Sequence, residues 1–435
     1  MRITLIRPNM NAKKSSDALQ PLVFALLKAL TPPDIETVLY DDRIEEIPFD
    51  EPTDLVAMTV ETFSAKRAYH IASQYRQRGV PVVMGGFHPT LMPKEALQHA
   101  TTIVIGGAES VWTQLFADAK KGTLQPIYQA PPLSSPLKAS FNREIFKGKS
   151  YPALDLVQWG RGCPHHCDFC AIHAVYGKHT CQRPIDDVIA EIESLNSKFL
   201  FFVDDNMFVN KNRLILLLEA LASLHVRWSC QISLDVALDD RLVTLLEKSG
   251  CQVVLMGFES LNPNNLRQMK KQWNLAKQDY ATAIKKIYDH GMMIYGTFVF
   301  GYDGDTTDSF EQCLDFALRW KFFLANFNPL TPFPGTPLYK RLNQESRLLY
   351  ESWWLDKTYQ YGHASFQPRK MTADELTQGC FSARKRFNSY TSLARRAFNI
   401  TLTMRSWSHA LLYFVVNAIN RKAIYEKQGQ HLGAL

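Results

Sequence analysis

Three cysteines, Cys163, Cys167 and Cys170, stand at C-x3-C-x2-C spacing within Gly160-Arg161-Gly162-Cys163-Pro164-His165-His166-Cys167-Asp168-Phe169-Cys170. An apolar run, Leu156 to Trp159, precedes them and reads as a strand. Thiolates spaced this way can ligate three irons of a four-iron cluster, whereas a closed cluster takes four cysteines. One iron would keep an open position for a small molecule. Zinc is the competing metal, since His165, His166, His173 and His179 lie close enough in sequence to supply a fourth ligand. Zinc sites usually combine well-separated C-x2-C pairs, and the chain has no second pair. The other five cysteines are scattered singly through apolar segments, so they form neither a disulfide pattern nor a second cluster loop. The count points to one cluster and a reducing compartment.

The elements that must position this loop follow it in order. From Leu156 a βα series runs with strands at Leu156 to Trp159, Phe199 to Val203, Trp228 to Ser233, Val253 to Phe258, Ile294 to Phe300 and Asn326 to Leu330. Between them lie helices, one opened by Pro184, one started by Asp239 and Asp240, and one ended by Gly291. Six βα units predict an open, partial (β/α)6 barrel of TIM type with its chemistry at the C-terminal strand ends. The cysteine loop falls at the first of these ends, and Asp204, Ser233 and Glu259 fall at later ones.

Upstream, strand-like Ile3 to Ile6, Glu36 to Tyr40, Leu55 to Val60, Val80 to Met84 and Thr102 to Ile105 alternate with helical patterns. That alternation predicts an α/β, doubly wound, flavodoxin- or Rossmann-like domain over residues 1–125, which binds ligands beyond its strands' carboxyl ends. The turns concerned hold Thr59, Glu61 and Thr62, then Gly85, Gly86 and His88, then Gly106 and Glu109. A Pro-rich stretch reads as a linker over 126–150, the barrel spans 151–340, and a basic, aromatic, mainly helical cap fills 341–435.

Composition, at 46% apolar and 21% charged residues, is that of a folded globular chain. The net charge of +7 is concentrated at the end: Arg369 to Leu435 carries 11 Lys and Arg against 3 Asp and Glu. Such a tail suggests an anionic partner, a membrane surface or nucleic acid. No apolar run approaches the ~18 residues of a membrane span, and Met1 to Pro8 reads as a first strand rather than a leader. A cytoplasmic protein is expected, with the tail able to lie against a membrane. From the residues alone, a zinc-stabilised nucleic-acid-binding protein is the alternative of a different class.

The cysteine loop and its βα series resemble the radical S-adenosylmethionine (SAM) superfamily, and Gly85-Gly86-Phe87-His88-Pro89 with Gly106 to Glu109 resembles the cobalamin-binding domain preceding the barrel in one large class of it. The resemblance implies a [4Fe-4S] cluster on Cys163, Cys167 and Cys170, with SAM bound at the open iron and cleaved to a 5′-deoxyadenosyl radical. It implies SAM contacts from Phe169 near adenine, Asp204 toward the methionine ammonium, and Ser233 and Glu259 toward ribose and methionine. On residue type alone, Asp204 could equally cap a helix and His88 could be structural. For cobalamin it implies Thr59, Glu61, Thr62, Gly85, Gly86, His88, Gly106 and Glu109. The family's acidic-glycine turn is here Gly-Gly-Ala-Glu, and the D-x-H-x-x-G element that gives other cobalamin proteins a cobalt-ligating His is absent, as it is in many members of this class. The implied activity is methylation of an unactivated carbon in a small or lipid-like substrate, or else a radical cyclisation or rearrangement without methyl transfer. A flavodoxin or ferredoxin would supply electrons, and nucleic acid would not be the substrate.

Overall fold

The computed structural model describes the chain apart from residues 12, 16, 135–138, 196, 198, 272–278, 399–406 and 434–435. Six strands, β1 (Arg2–Arg7), β2 (Glu36–Asp41), β3 (Leu55–Thr59), β4 (Val82–Gly85), β5 (Thr102–Ile105) and β6 (Ile127–Gln129), form a sheet of order β2-β1-β3-β4-β5-β6. Every pairing is parallel. This is the doubly wound order that the apolar, β-branched runs predict. The strands bury on both faces: Ile3 and Leu5 pack under the helix Leu22–Leu30, while Ile6, Val56 and Met58 pack under Ala65–Gln77. One difference concerns the stretch read as a linker. Its Ile127 to Gln129 extends the sheet by pairing with β5, because Tyr128 has an apolar slot to fill and its hydroxyl donates to Asp118 at 2.6 Å.

The second sheet begins with β7 (Asp155–Val157). A small hairpin, β8 (Gly160–Arg161) and β9 (Cys181–Gln182), leaves the sheet and returns to it. Then come β10 (Phe199–Phe202), β11 (Arg227–Ile232), β12 (Cys251–Glu259), β13 (Met293–Phe300) and β14 (Leu324–Pro329), in order β14-β13-β12-β11-β10-β7 and all parallel. The order rises in sequence from one edge to the other, as an open barrel built from successive βα units requires. Phe258, Phe298, Phe322 and Phe327 fill the layer between this sheet and its outer helices, where Phe258 and Phe298 meet Phe316 and Phe327 meets Phe387, with neighbouring rings stacked at 5.2–5.6 Å between centroids.

The region after the barrel is less simple than a helical cap. Tyr350 to Tyr361 turns back onto the first domain, where Trp353 and Trp354 join its core. Helix Ala373–Phe387 then packs against β14, opened by a reciprocal cap between Thr372 and Glu375. Helix Trp407–Lys427 covers Val253, Met293 and Leu324 at the barrel's N-terminal end. Among the described residues no helix is long and apolar enough to cross a membrane.

Candidate functional site

The cysteine loop is an excursion whose two ends are tied together. β8 and β9 pair antiparallel at its base, and Gly162 lets the chain close there: its φ is +86°, and a Cβ would lie 2.1 Å from the His179 carbonyl oxygen. From the end of β10, three consecutive side chains grip the start of the loop. Asp204 accepts the backbone N–H of Trp159 at 3.0 Å and that of Gly160; Asp205 accepts from Gly162 N–H at 2.8 Å; the Asn206 amide donates to Cys163 Sγ at 3.6 Å. The middle of the loop is pinned across the barrel mouth through Asp168. Its carboxylate accepts the Tyr302 hydroxyl beyond β13 at 2.5 Å, its N–H donates to the Met269 carbonyl, and its own carbonyl accepts from Leu338 N–H.

This arrangement leaves Cys163, Cys167 and Cys170 half-buried, while the other five cysteines are buried. Burial pushes the Cys167 thiol up to about 12 and Cys170 up as well; the Lys271 ammonium pulls Cys167 the other way. The three thiols lie within electrostatic reach of one another. Among the described residues, no group of three or more His, Cys, Asp and Glu side chains is drawn to the spacing of a single bound metal ion. The donor set is three half-buried thiols on one short loop, which fits a multi-iron cluster.

The residues expected around SAM are placed unevenly. Phe169 packs on the barrel core with its ring edge-on to Tyr302, 6.5 Å between centroids. Asp204 is not open to a ligand: it is buried beneath the loop with both oxygens engaged by backbone N–H groups. Nor is it a helix cap. Burial raises it to about 7, against the pull of those two hydrogen bonds. Ser233 stands half-buried at the end of β11, directly before helix Leu234–Ala237. Glu259 ends β12 after a register shift, with φ +60°, a left-handed conformation that is uncommon for a side-chain-bearing residue. Lys271 donates to one Glu259 oxygen at 2.8 Å and to the Gly257 carbonyl at 2.7 Å, so this carboxylate is ion-paired.

Facing the loop, the carboxyl ends of the first sheet enclose a cavity of about 450 Å³ between the two halves of the molecule. Thr59, Glu61, Gly85, Gly86, Gly106 and Glu109 line it from the first domain, and Gln158, Arg161, Tyr176 and Asp205 line it from the barrel side. A second cavity of about 560 Å³ lies beside it and shares Thr90, Gly106, Gly107, Val175 and Tyr176. Gly86, at φ +103°, brings its turn against β3: a Cβ there would sit 2.8 Å from the Val60 carbonyl oxygen. Paired glycines and an apolar wall make a cradle that suits a large flat ring. Arg7 pairs with Glu61 at 2.8 Å and holds its carboxyl below the usual range.

Two residues expected at this cavity lie elsewhere. Thr62 is buried in a short 3-10 turn. His88 is fully buried and directed away from the cavity, its Nε2 3.0 Å from both the Tyr69 hydroxyl and Glu95 Oε1. Glu95 also accepts from Tyr69 and from Trp354 Nε1. Burial would raise this carboxyl, but the hydrogen bonds from His88, Tyr69 and Trp354 outweigh it and keep it low. His88 is therefore structural, because the helix that Phe87 opens turns its ring into the core.

The two halves touch where their loops meet. Arg161 Nη1 reaches Glu109 Oε1 at 2.5 Å, and its other terminal nitrogen donates to Gln158 at 3.0 Å. Helix Ala171–Tyr176, which begins just after Cys170, packs on helix Phe87–Leu91, which begins just after Gly86. Sequence reading missed Arg161, Asp168, Asp205 and Asn206. The adjacent carboxylates of Asp204-Asp205 were a signal, but they do not reveal which one is spent on backbone.

Two parallel α/β units meeting over a three-cysteine loop define the class of protein. The chain belongs to the radical SAM superfamily, whose sequence signature matches residues 157–317. It is 32% identical over 389 residues, covering 86% of this chain and 84% of the relative, to bacteriochlorophyllide d C-12(1)-methyltransferase of Chlorobaculum tepidum. It is 31% identical over 355 residues, covering 76% and 78%, to bacteriochlorophyllide d C-8(2)-methyltransferase of the same organism. Among solved structures, the fold is similar to that of the radical SAM methyltransferase TsrM from Kitasatospora setae with cobalamin and a [4Fe-4S] cluster bound, at TM-score 0.64 and 17% identity over 79% of this chain and 78% of that one.

Proposed function

We propose that this chain is a cobalamin-dependent radical SAM enzyme that methylates an unactivated carbon of a small or lipid-like substrate. The observation that carries the reading is the shared cavity, which the glycine turns of one domain line together with Gln158 and Arg161 just before the cysteines and Tyr176 just after them. Cys163, Cys167 and Cys170 would hold the [4Fe-4S] cluster with SAM beside it, and the Thr59, Gly85, Gly86 and Gly106 side of the cavity would hold cobalamin. When bound, these groups supply a 5′-deoxyadenosyl radical and a methyl donor; the protein supplies orientation and shelter from water.

This chain's own residues perform that part. Asp204, Asp205 and Asn206 fix the start of the loop, and Asp168 fixes its middle across the mouth. Tyr302, buried in the barrel core, backs Phe169 edge-on and anchors Asp168 from below. Arg161 and Glu109 set the spacing between the halves, and the apolar cavity wall keeps water from a reactive radical. The enzyme would draw electrons from a flavodoxin or ferredoxin. Peripheral contact with a membrane through the C-terminal tail belongs to the same reading.

Anaerobic reconstitution tests it. The expected product is a brown protein with iron, sulfide and a bound corrin spectrum that converts SAM to 5′-deoxyadenosine under reduction. With bacteriochlorophyllide as the first probe, label from the SAM methyl group should enter the chlorin. Deoxyadenosine without methyl incorporation across probes, with methylcobalamin present, would favour cyclisation or rearrangement. A colourless protein with one zinc and no iron would overturn the enzyme reading.

A further inference from the structure

The C-terminal helices leave an apolar surface uncovered. Nine large apolar side chains stand exposed among the described residues, and six of them, Tyr390, Phe398, Leu411, Phe414, Val415 and Tyr425, lie on or beside helices Tyr390–Ala397 and Trp407–Lys427. On the longer helix the exposed positions are Leu411, Phe414, Val415, Ala418, Lys422 and Tyr425, which recur at the spacing of one helical face. The opposite face is also apolar and is already used: Tyr413 and Val416 pack on Phe323 and Leu324 of the barrel. A helix that is greasy on both sides needs cover on both.

Charge identifies the cover. The fifty residues from Leu376 to Tyr425 contain eight Lys or Arg and no Asp or Glu. Lys385, Arg395 and Lys422 are exposed among them. Arg421 lies over the rings of Tyr390, at 4.2 Å, and Tyr425, at 5.2 Å, which joins the two helices into one aromatic and cationic surface. Apolar side chains ringed by tyrosines and cations suit the boundary between acyl chains and headgroups, and the scarcity of acid, with Glu426 at the end of the longer helix paired to Lys13, favours negative ones.

We propose that this face docks peripherally on a bilayer carrying anionic lipids. The helix covers the N-terminal end of the barrel, opposite the mouth, so docking leaves the mouth unobstructed. The proposal deepens the membrane part of the proposed function and is independent of its chemistry. A protein that cleaves SAM but ignores vesicles would contradict this inference alone.

Co-sedimentation of the reconstituted full chain with phosphatidylcholine vesicles, with and without phosphatidylglycerol, tests it. The expected result is binding that requires phosphatidylglycerol and weakens with salt. Arg395→Glu with Lys422→Glu should lower the partition coefficient by about 30-fold or more, and Phe414→Glu should lower it comparably. Each variant should keep the wild-type iron content and melting temperature, which shows that folding survives. Sedimentation velocity without vesicles covers the competing occupant. A dimer that Phe414→Glu converts to monomer, with no vesicle binding, would assign the face to a second copy and overturn the proposal. So would equal binding by wild type and both variants.

Discussion

The two sheets share strand number, direction and facing ends, yet they present opposite chemistry. The first ends in turns whose useful property is missing side chains, at Gly85, Gly86, Gly106 and Gly107. The second ends in turns crowded with thiols, carboxylates and amides. A parallel sheet supplies only a row of loop positions. One row here has been emptied to admit a large ligand, and the other has been filled to hold a reactive loop.

The comparison predicts different kinds of damage on the two sides. The largest effect is on the filled side: replacing any of Cys163, Cys167 or Cys170 with Ala should take bound iron and SAM cleavage to background, while the circular dichroism spectrum stays native. On the emptied side Gly86→Val should abolish corrin retention without touching the iron content, because a side chain at φ +103° must displace the Val60 backbone. Strain there should also cost about 1–3 kcal/mol in denaturant titrations. If Gly86→Val kept its corrin, the cradle assignment would fail.

Asp204 sharpens the contrast, since its carboxylate serves structure within the filled row. Asp204→Asn turns an acceptor into a donor against one backbone N–H and should destabilise the apoprotein by about 1–3 kcal/mol. Its titration has a sign that can be checked. Folding raises this carboxyl from its unfolded value of ~3.9 to about 7, so the folded state holds a proton that the unfolded state has released. Between those limits stability falls as pH rises, by up to ~1.4 kcal/mol per unit, and it levels off above them. Asn at this position should remove that slope from pH-dependent melts.

The smallest effect lies at the seam. A double-mutant cycle on Arg161→Ala and Glu109→Ala should show a coupling of about 1–2 kcal/mol in corrin affinity or stability, as neighbours in one ion pair do. Zero coupling would mean that the domains are held by packing, through helices Ala171–Tyr176 and Phe87–Leu91.

Both sheets were legible in the sequence, apart from β6 within the Pro-rich stretch, because short apolar runs alternating with helical patterns at a regular pitch favour parallel strands. The cysteine spacing and the glycine turns were legible for a related reason: each is local. The links that organise the site are not local. Arg161 meets a carboxylate fifty-two residues away, and Trp354 donates to one 259 residues away. His88 stood at the right turn but faces the wrong way, since a ring's direction depends on which core has room for it. Asp204 and Asp205 are adjacent, with identical side chains. Only the fold buries one beneath the loop and leaves the other on the cavity wall.

The central claim is that the cysteine loop and the glycine cradle face one space. Pulsed electron paramagnetic resonance on the reconstituted enzyme, with the cluster reduced and the corrin held as cob(II)alamin, measures this directly. The account predicts a resolved dipolar coupling between the two paramagnets that disappears in Gly86→Val together with the corrin signal. Two full signals with no coupling between them would place the cofactors in separate sites and contradict it.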